Sequence, residues 1–307
     1  MNLVSTNRMN YWEKYVKPGR VEEALAALEA AAGRGRIIAG GTDLLLDLQQ
    51  GRLAPVEVLV DVADIPELRE IRIDGDRATV GAAATHAAIM KNPVLNAQAT
   101  ALVEASSLIG GPQVRMVATL GGNVAHALPA ADGTIALLAL DADAQIASVA
   151  GRRWLPLADL FAGPGETTFD RAREVLVAFR FPLCSDGEST AFARVMRPQG
   201  VAIAILNMAV WIRLAAGGRI GGIRIACGPA GPMPFRAIAT ESMLTGSPWP
   251  IENWGAVEAA LLEETRFRTS AHRATQGYRR HLVGVVLRRT VKKAHRDAAS
   301  PVPEMNR

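Results

Sequence analysis

Two glycine pairs set the tightest limits on how this chain can fold. Gly40-Gly41 follows the short apolar run Arg36 to Ala39 and leads into Thr42-Asp43, while Gly121-Gly122 lies between Thr119 and Asn123. Without Cβ atoms, such pairs let backbone N–H groups approach a phosphate, and the adjoining Thr, Asp and Asn side chains fix the loop or meet ligand oxygens. Two loops of this kind facing one another would hold both phosphates of a dinucleotide. They are not a Rossmann fingerprint: Gly33-Arg34-Gly35 precedes the strand, and no GxGxxG opens a helix. Each pair alone also suits an ordinary turn. Spacing by itself therefore reaches an α+β protein with a phosphate-binding option and stops there.

The elements around the pairs are read from periodicity and punctuation. Residues 21–32 form a helix stopped by Gly33, Arg36 to Ala39 a strand, and Leu44 to Gln50 a helical turn capped by Thr42 or Asp43. Val58 to Val62 is a strand, and Ile71 to Ile73 pairs with Ala78 to Val80 across Asp74-Gly75-Asp76. Thr85 caps a helix ending before Pro93, a second helix runs to about Ile109, and Thr119 to Asn123 is a loop. Thr134 to Leu140 reads as a helix, with strands at Gln145 to Val149 and Glu174 to Phe181. The polar break Cys184 to Ser189 marks a boundary. Strands at Ala209 to Leu214 and Ile220 to Cys227 follow, with Gly217-Gly218 and Gly221-Gly222 as hairpin geometry, and then helices over 252–266 and 271–297.

At 307 residues with 49% apolar side chains, the chain suits two packed units rather than a disordered or fibrous polymer. Its two cysteines, Cys184 and Cys227, cannot hold an iron–sulfur cluster alone, and no spacing suits structural zinc. So few cysteines point to a reduced, cytoplasmic protein. The amino terminus shows no apolar signal segment, and the stretch Val201 to Ile212 is too short to span a membrane.

The net charge of +4 is unevenly placed. Between His272 and Ala298 eight Lys and Arg accompany one acid, Asp297, so the remainder is net acidic. This terminal helix has an apolar side at Tyr278, Leu282, Val285 and Val286. Its basic face is read as a solvated outer surface, or as a docking patch for an acidic partner subunit. Nucleic acid does not fit, because no interleaved aromatics or recognised binding module accompany the charges. His126 is weighed as a cofactor contact or a structural residue, His86 as a first-turn helix residue, and Arg197-Pro198-Gln199-Gly200 as a loop or a flavin-edge contact. No Ser–His–Asp or Cys–His set is present.

A family resemblance adds what spacing cannot. Ala39-Gly40-Gly41-Thr42-Asp43-Leu44, Thr119-Leu120-Gly121-Gly122-Asn123 and Pro129-Ala130-Ala131-Asp132 resemble the FAD-binding (medium) subunit of the molybdenum hydroxylases, the xanthine and carbon monoxide dehydrogenase family. Gln113-Val114-Arg115, Phe161-Ala162-Gly163-Pro164 with Thr167, and Tyr278-Arg279-Arg280-His281-Leu282 extend the match over about residues 9–296. The resemblance implies an α+β fold: a two-part FAD-binding domain of the vanillyl-alcohol oxidase type over 9–184. A smaller domain over 190–297, with a three-stranded antiparallel sheet and a helical bundle, follows, and then a flexible tail over 298–307. Carried over by position, Ile37, Ile38, Ala39, Gly40, Gly41, Thr42 and Asp43, with Thr119, Gly121, Gly122 and Asn123, cradle the FAD diphosphate. Asp132 reaches the ribityl or ribose region, so Asp132→Ala is expected to weaken FAD without unfolding the chain. Ile109 and Leu176 lie by the isoalloxazine. The chain departs from the family at Leu128, where Asp is frequent, and at Gly133, where an aromatic is frequent. Both departures imply a less polar, more open rim. The absence of clustered cysteines separates it from the branch with an extra cluster.

What the resemblance implies for function is an electron-transfer flavoprotein with no catalytic acid or base of its own. A molybdopterin-binding large subunit would oxidise the organic substrate, and a small subunit with two iron–sulfur clusters would feed electrons to the flavin. NAD, oxygen or a quinone would accept them, in a dimer of heterotrimers. Two alternatives remain at this level: a non-catalytic scaffold subunit with an empty flavin site, and a stand-alone flavin oxidoreductase.

Overall fold

The computed structural model describes residues 10–197 and 202–300. The amino-terminal segment, residues 198–201 (with Pro198-Gln199-Gly200 of the loop or flavin-edge candidate) and the tail from Pro301 lie outside the described residues.

The first unit is a parallel sheet of β1 (Trp12–Val16), β2 (Gly35–Ile38) and β3 (Val56–Asp61), in the order β1-β3-β2. Parallel neighbours need a crossover, and α1 (Val21–Ala30) supplies it. Its buried residues Val21, Ala24, Leu25 and Leu28 repeat at helical spacing and pack against Val58 and Val60 of β3. The chain leaves α1 through Gly33 at φ +88°, the left-handed stop expected from the sequence. α2 (Leu44–Gln49) follows the first glycine pair. Asp43 occupies its N-cap position, yet neither Thr42 nor Asp43 makes a capping hydrogen bond, because Asp43 keeps a near-helical backbone (φ −100°, ψ −44°). The expected side-chain cap is therefore absent.

The second unit opens with α3 (Pro66–Arg69) and the hairpin β4 (Ile71–Asp74) and β5 (Arg77–Gly81), turned at Gly75 with φ +58°. Next come α4 (His86–Lys91), capped by the Thr85 hydroxyl, α5 (Pro93–Gln98) and α6 (Thr100–Leu108). The single helix expected over the last two is broken at Ala99, whose backbone (φ −143°, ψ 44°) leaves the helical region. α7 (Pro112–Val117), α8 (Leu120–Ala125) and α9 (Asp132–Ala139) lead to β6 (Asp143–Ser148) and β7 (Gly151–Pro156). A small hairpin, β8 (Phe161–Gly163) with β9 (Glu166–Thr167), precedes β10 (Val175–Pro182). The five-stranded antiparallel sheet runs β4-β5-β10-β6-β7. Its middle strand β10 is nearly continuously apolar because both of its faces are covered.

The third unit is an antiparallel sheet of three long strands, β11 (Glu188–Val195), β12 (Leu206–Leu214) and β13 (Ile220–Gly228), edged by the two-residue β14 (Phe235–Arg236). α10 (Ile238–Leu244), α11 (Trp254–Glu264) and α12 (Gln276–Ala298) form its helical layer. α12 buries Arg279, Val283, Val286, Leu287, Thr290, Val291 and Ala294, whereas Tyr278 and Val285 are exposed. Of the apolar side read from Tyr278, Val286 is buried and Leu282 packs against the core, while Tyr278 and Val285 turn to solvent. Continued at helical spacing, that stripe runs into Arg289, Lys292 and Arg296, while the stripe through Val283 stays apolar or small to the helix end. The second and third units are bonded through Glu104, which accepts the Phe192 N–H at 2.9 Å and pairs with Lys293. Both cysteines are free and buried, and burial pushes each thiol up to about 12.

Candidate functional site

A cavity of about 840 Å³ opens where the three units meet, and all fourteen site residues expected from the sequence line it. The first glycine pair lies at the C-terminal end of β2. The backbone N–H groups from Gly40 to Leu44 meet no acceptor among the described residues, so consecutive donors are left for a ligand. Gly41 sits at φ +67°. A Cβ at Gly40 would fall on the Val117 carbonyl and within 2.8 Å of Ala118 Cα. That close approach brings the loop against the chain leading into Thr119.

The second pair behaves differently. Thr119 to Asn123, expected as a loop, is the N-cap and first turn of α8, with the Thr119 hydroxyl accepting the Gly122 N–H at 3.1 Å. The amides of Leu120 and Gly121 donate to Ala84 and Ala82 carbonyls at 3.0 and 2.7 Å, and that of Asn123 to Thr119 at 3.1 Å. These four donors are already satisfied. Gly121 is buried and serves packing, since a Cβ there would meet Ala82 at 2.6 Å. Gly122 faces open space, where a Cβ would meet only the Thr119 hydroxyl. Asn123 accepts from both the N–H and the hydroxyl of Thr134 through Oδ1, which leaves its Nδ2 as a donor beside the cavity.

Asp132, in the first turn of α9, is buried with both oxygens engaged. One pairs with Arg194, and the other accepts from Asn207 Nδ2 at 2.5 Å. Burial pushes its carboxyl up from the ordinary value, against the downward pull of Arg194 and Asn207. Arg194 also donates to the Leu108 and Ala202 carbonyls at 2.8 and 2.5 Å, tying α6, α9 and the third unit together. Asp132→Ala would strand that buried guanidinium, so the weaker FAD binding expected of the substitution comes with a cost in stability. The departure at Gly133 is corrected. Gly133 lies off the cavity, where a Cβ would meet Asn123 Oδ1 at 2.9 Å and Leu120 at 3.0 Å, so its lack of a side chain serves packing rather than an open rim. Leu128 does line the cavity and is partly exposed.

Ile109 closes α6, and its carbonyl accepts from Arg115 at 3.1 Å. Leu176 contributes an apolar wall beside an irregularity in the β10–β6 pairing. His86 is buried at the start of α4 against the Ser106 hydroxyl (3.2 Å), and desolvation, with Arg115 nearby, lowers it to about 4. It is a neutral wall residue. His126 ends α8 and also lines the cavity. Several arginines were not read from the sequence: Arg36, Arg171, Arg194, Arg268 and Arg273 all border the cavity. Arg171 is held by the Ala125 and Gly165 carbonyls at 3.0 and 2.5 Å, and burial, then Arg36, lowers its pKa. Only Arg194 carried a local signal, as a charge set between the apolar residues Ala193 and Val195 of a strand.

Comparison with known proteins decides the family. The family described as "FAD binding domain in molybdopterin dehydrogenase" matches residues 7–184, and "CO dehydrogenase flavoprotein C-terminal domain" matches residues 190–294. The chain belongs to the FAD-binding subunits of the molybdenum hydroxylases. It is 32% identical to the nicotine 6-hydroxylase medium subunit of Paenarthrobacter nicotinovorans, over 92% of this chain and 96% of the relative. It is 30% identical to the xanthine dehydrogenase FAD-binding subunit of Escherichia coli O157:H7, over 85% and 89%. Among solved structures, a chain of the carbon monoxide dehydrogenase from Hydrogenophaga pseudoflava superposes with a TM-score of 0.87 at 30% identity, covering 92% of this chain and 97% of that one. The chain is accordingly a flavoprotein oxidoreductase subunit of the molybdenum hydroxylase family, with FAD as its cofactor. The site fits that cofactor on its own geometry: amides from Gly40 to Leu44 without an acceptor among the described residues, open space at Gly122, and apolar walls at Ile109 and Leu176. Among the described residues no helix is long and apolar enough to cross a membrane.

Proposed function

We propose that this subunit holds FAD in the cavity between its three units and relays electrons through it. They would come from the two iron–sulfur clusters of a small partner subunit and leave to NAD, oxygen or a quinone. A molybdopterin-binding large subunit would oxidise the organic substrate, in a cytoplasmic dimer of heterotrimers. The observation that carries this reading is that the N–H groups from Gly40 to Leu44, residues that line the cavity, meet no acceptor among the described residues.

FAD supplies exchange between one-electron and two-electron carriers, and the protein contributes binding, orientation and electrostatics. The amides of Gly40, Gly41, Thr42 and Asp43 donate to the diphosphate, and Ile37, Ile38 and Ala39 carry the chain into that turn. Thr119 and Gly121 hold α8 against the segment that follows β5, so that Gly122 leaves room for the phosphates while Asn123 Nδ2 adds a donor. Asp132 keeps a spare lone pair on each engaged oxygen for a ribityl or ribose hydroxyl. Ile109 and Leu176 exclude water from the ring. Held neutral, His86 has no proton to give or take across the neutral range. The test is a titration of the flavin-stripped full chain with FAD, followed by flavin fluorescence. Saturable one-to-one binding is expected; a folded chain that ignores FAD would overturn the reading.

A further inference from the structure

The part of the cavity lining contributed by the third unit carries a charge that the flavin-binding loops do not explain. Arg268, Arg273 and Arg279 all line it, from the segment entering α12 and from the first turns of that helix. Arg279 is 2% exposed, and its Nε is sealed from water without a hydrogen-bond partner. Among the described residues, no carboxylate, carbonyl or hydroxyl accepts from any of the three guanidiniums. Arg194 in the same cavity has its charge answered by Asp132.

The placement is built, not incidental. Ser270 N–H donates to the Ala274 carbonyl at 2.9 Å and Arg273 N–H to the Ser270 carbonyl at 3.1 Å, closing a tight turn. Thr269 Oγ1 accepts from Gln276 N–H at 3.1 Å, and Thr275 caps α12 through Tyr278 N–H at 3.2 Å. The arginines therefore sit at the positive pole of a 23-residue helix, the end where cations are disfavoured. They also repel one another: burial, then Arg273 and Arg268, lowers the pKa of Arg279. Unsatisfied, like-charged groups in a half-closed cavity at a helix N-terminus cost stability, and an anion removes every one of those costs.

We propose that Arg268, Arg273 and Arg279 form an anion subsite that takes the diphosphate of a nucleotide. The subsite deepens the reading of this cavity as a dinucleotide site and rests on it. Planar guanidinium forks match phosphate oxygens two at a time, which a single ammonium does not. The diphosphate has two sources: that of FAD itself, held jointly with the amides of Gly40 to Leu44, or that of a second nucleotide bound beside the flavin. The third unit then contributes to ligand binding directly instead of merely covering the cavity.

The full chain decides between them. FAD-loaded chain is titrated with ADP by calorimetry, and flavin-stripped chain with FAD by fluorescence. Both are done for the wild type, Arg268→Gln/Arg273→Gln, Arg279→Lys and, as a charge-matched control on the exposed face of α12, Arg289→Gln/Lys292→Gln. The cavity double variant should weaken one of the two titrations by at least about tenfold, as expected for losing a charge-assisted hydrogen bond, while the control should change neither. Loss confined to the FAD titration assigns the subsite to the flavin's own diphosphate. Loss confined to ADP assigns it to a second nucleotide. Unchanged titrations in the cavity double variant, or equal weakening in the control, overturn the proposal. Should the wild-type chain fold yet take up no FAD, the flavin reading alone fails, and ADP titration of the stripped chain still decides the subsite. Arg268 is exposed and Arg273 half-buried, so the double variant folds even if Arg279→Lys does not.

Discussion

Replacing Gly122 by alanine should separate ligand binding from folding. Gly122 is exposed in the first turn of α8, and a Cβ there meets only Thr119 Oγ1, at 3.1 Å. Within a helix alanine is better than glycine by about 0.5–1 kcal/mol, and the close contact with the capping hydroxyl takes back part of that gain. The net effect on the flavin-free chain is a gain of roughly 0–1 kcal/mol, or at most about 2–4 °C in melting temperature for a domain of this size. The effect on FAD has the opposite sign. A methyl group in the space left for the phosphates displaces the ligand from its donors. Losing one hydrogen bond to a charged group costs about 1.5–3 kcal/mol, roughly ten- to a hundredfold in Kd. Gly40→Ala provides the contrast: its Cβ would fall on the Val117 carbonyl, which is backbone and cannot yield, so stability and FAD should be lost together. Melting followed by circular dichroism and a fluorescence titration with FAD read the two quantities independently. An unchanged Kd in Gly122→Ala would remove α8 from the phosphate site. A lowered melting temperature of the flavin-free variant would show that this glycine serves packing.

Asp132→Ala leaves Arg194 buried without its counter-ion, and urea denaturation should show a loss of about 3–5 kcal/mol even without FAD; a loss below 1 kcal/mol would refute the clamp. His86 binds its proton at about 4 in the fold and at 6.5 when unfolded. The unfolded chain therefore takes up more protons between those values, and stability should fall by about 3 kcal/mol as pH drops through that window. In His86→Gln that component should vanish, leaving a flatter stability profile from pH 6.5 to 4.5. Cys184 and Cys227 should resist a thiol reagent at pH 8 in the native chain and react with two equivalents in guanidinium, because burial has raised both thiols to about 12. Rapid native labelling would contradict the packing described for β13 and the inter-unit link.

Much of the fold was legible because local chemistry and packing agree. Gly33 stops α1, Gly75 turns the β4–β5 hairpin and Thr85 caps α4, each by a mechanism confined to a few residues. What escaped the sequence depends on distant neighbours. β1 and β7 are largely polar, with only their ends or inner residues partly buried, so no alternation marks them. β11 begins at the end of the Cys184 to Ser189 break taken as a boundary, no strand was read over the rest of it, and its pairing with β12 is fixed by the long antiparallel register rather than by its own residues. α12 has two overlapping apolar stripes, and only docking onto the third sheet selects the one through Val283.

The two glycine pairs look alike in sequence, and the site uses them in opposite ways. Gly40 and Gly41 open a turn whose amides remain unpartnered, so that loop binds by donating. Gly121 and Gly122 begin a helix whose first amides are consumed by Ala84, Ala82 and Thr119, so that segment binds by leaving space. No local rule distinguishes them, because the deciding acceptors, the carbonyls of Ala82 and Ala84, arrive from the end of the β4–β5 hairpin. The arginines follow the same logic at longer range. Arg194 is neutralised by a partner 62 positions away in the chain, whereas Arg268, Arg273 and Arg279 are brought to the cavity by the last helix and the segment entering it, and pair with no carboxylate among the described residues. Charge in this protein becomes functional where the fold withholds a partner, and that is a property of tertiary placement which no count of Lys and Arg along the chain contains.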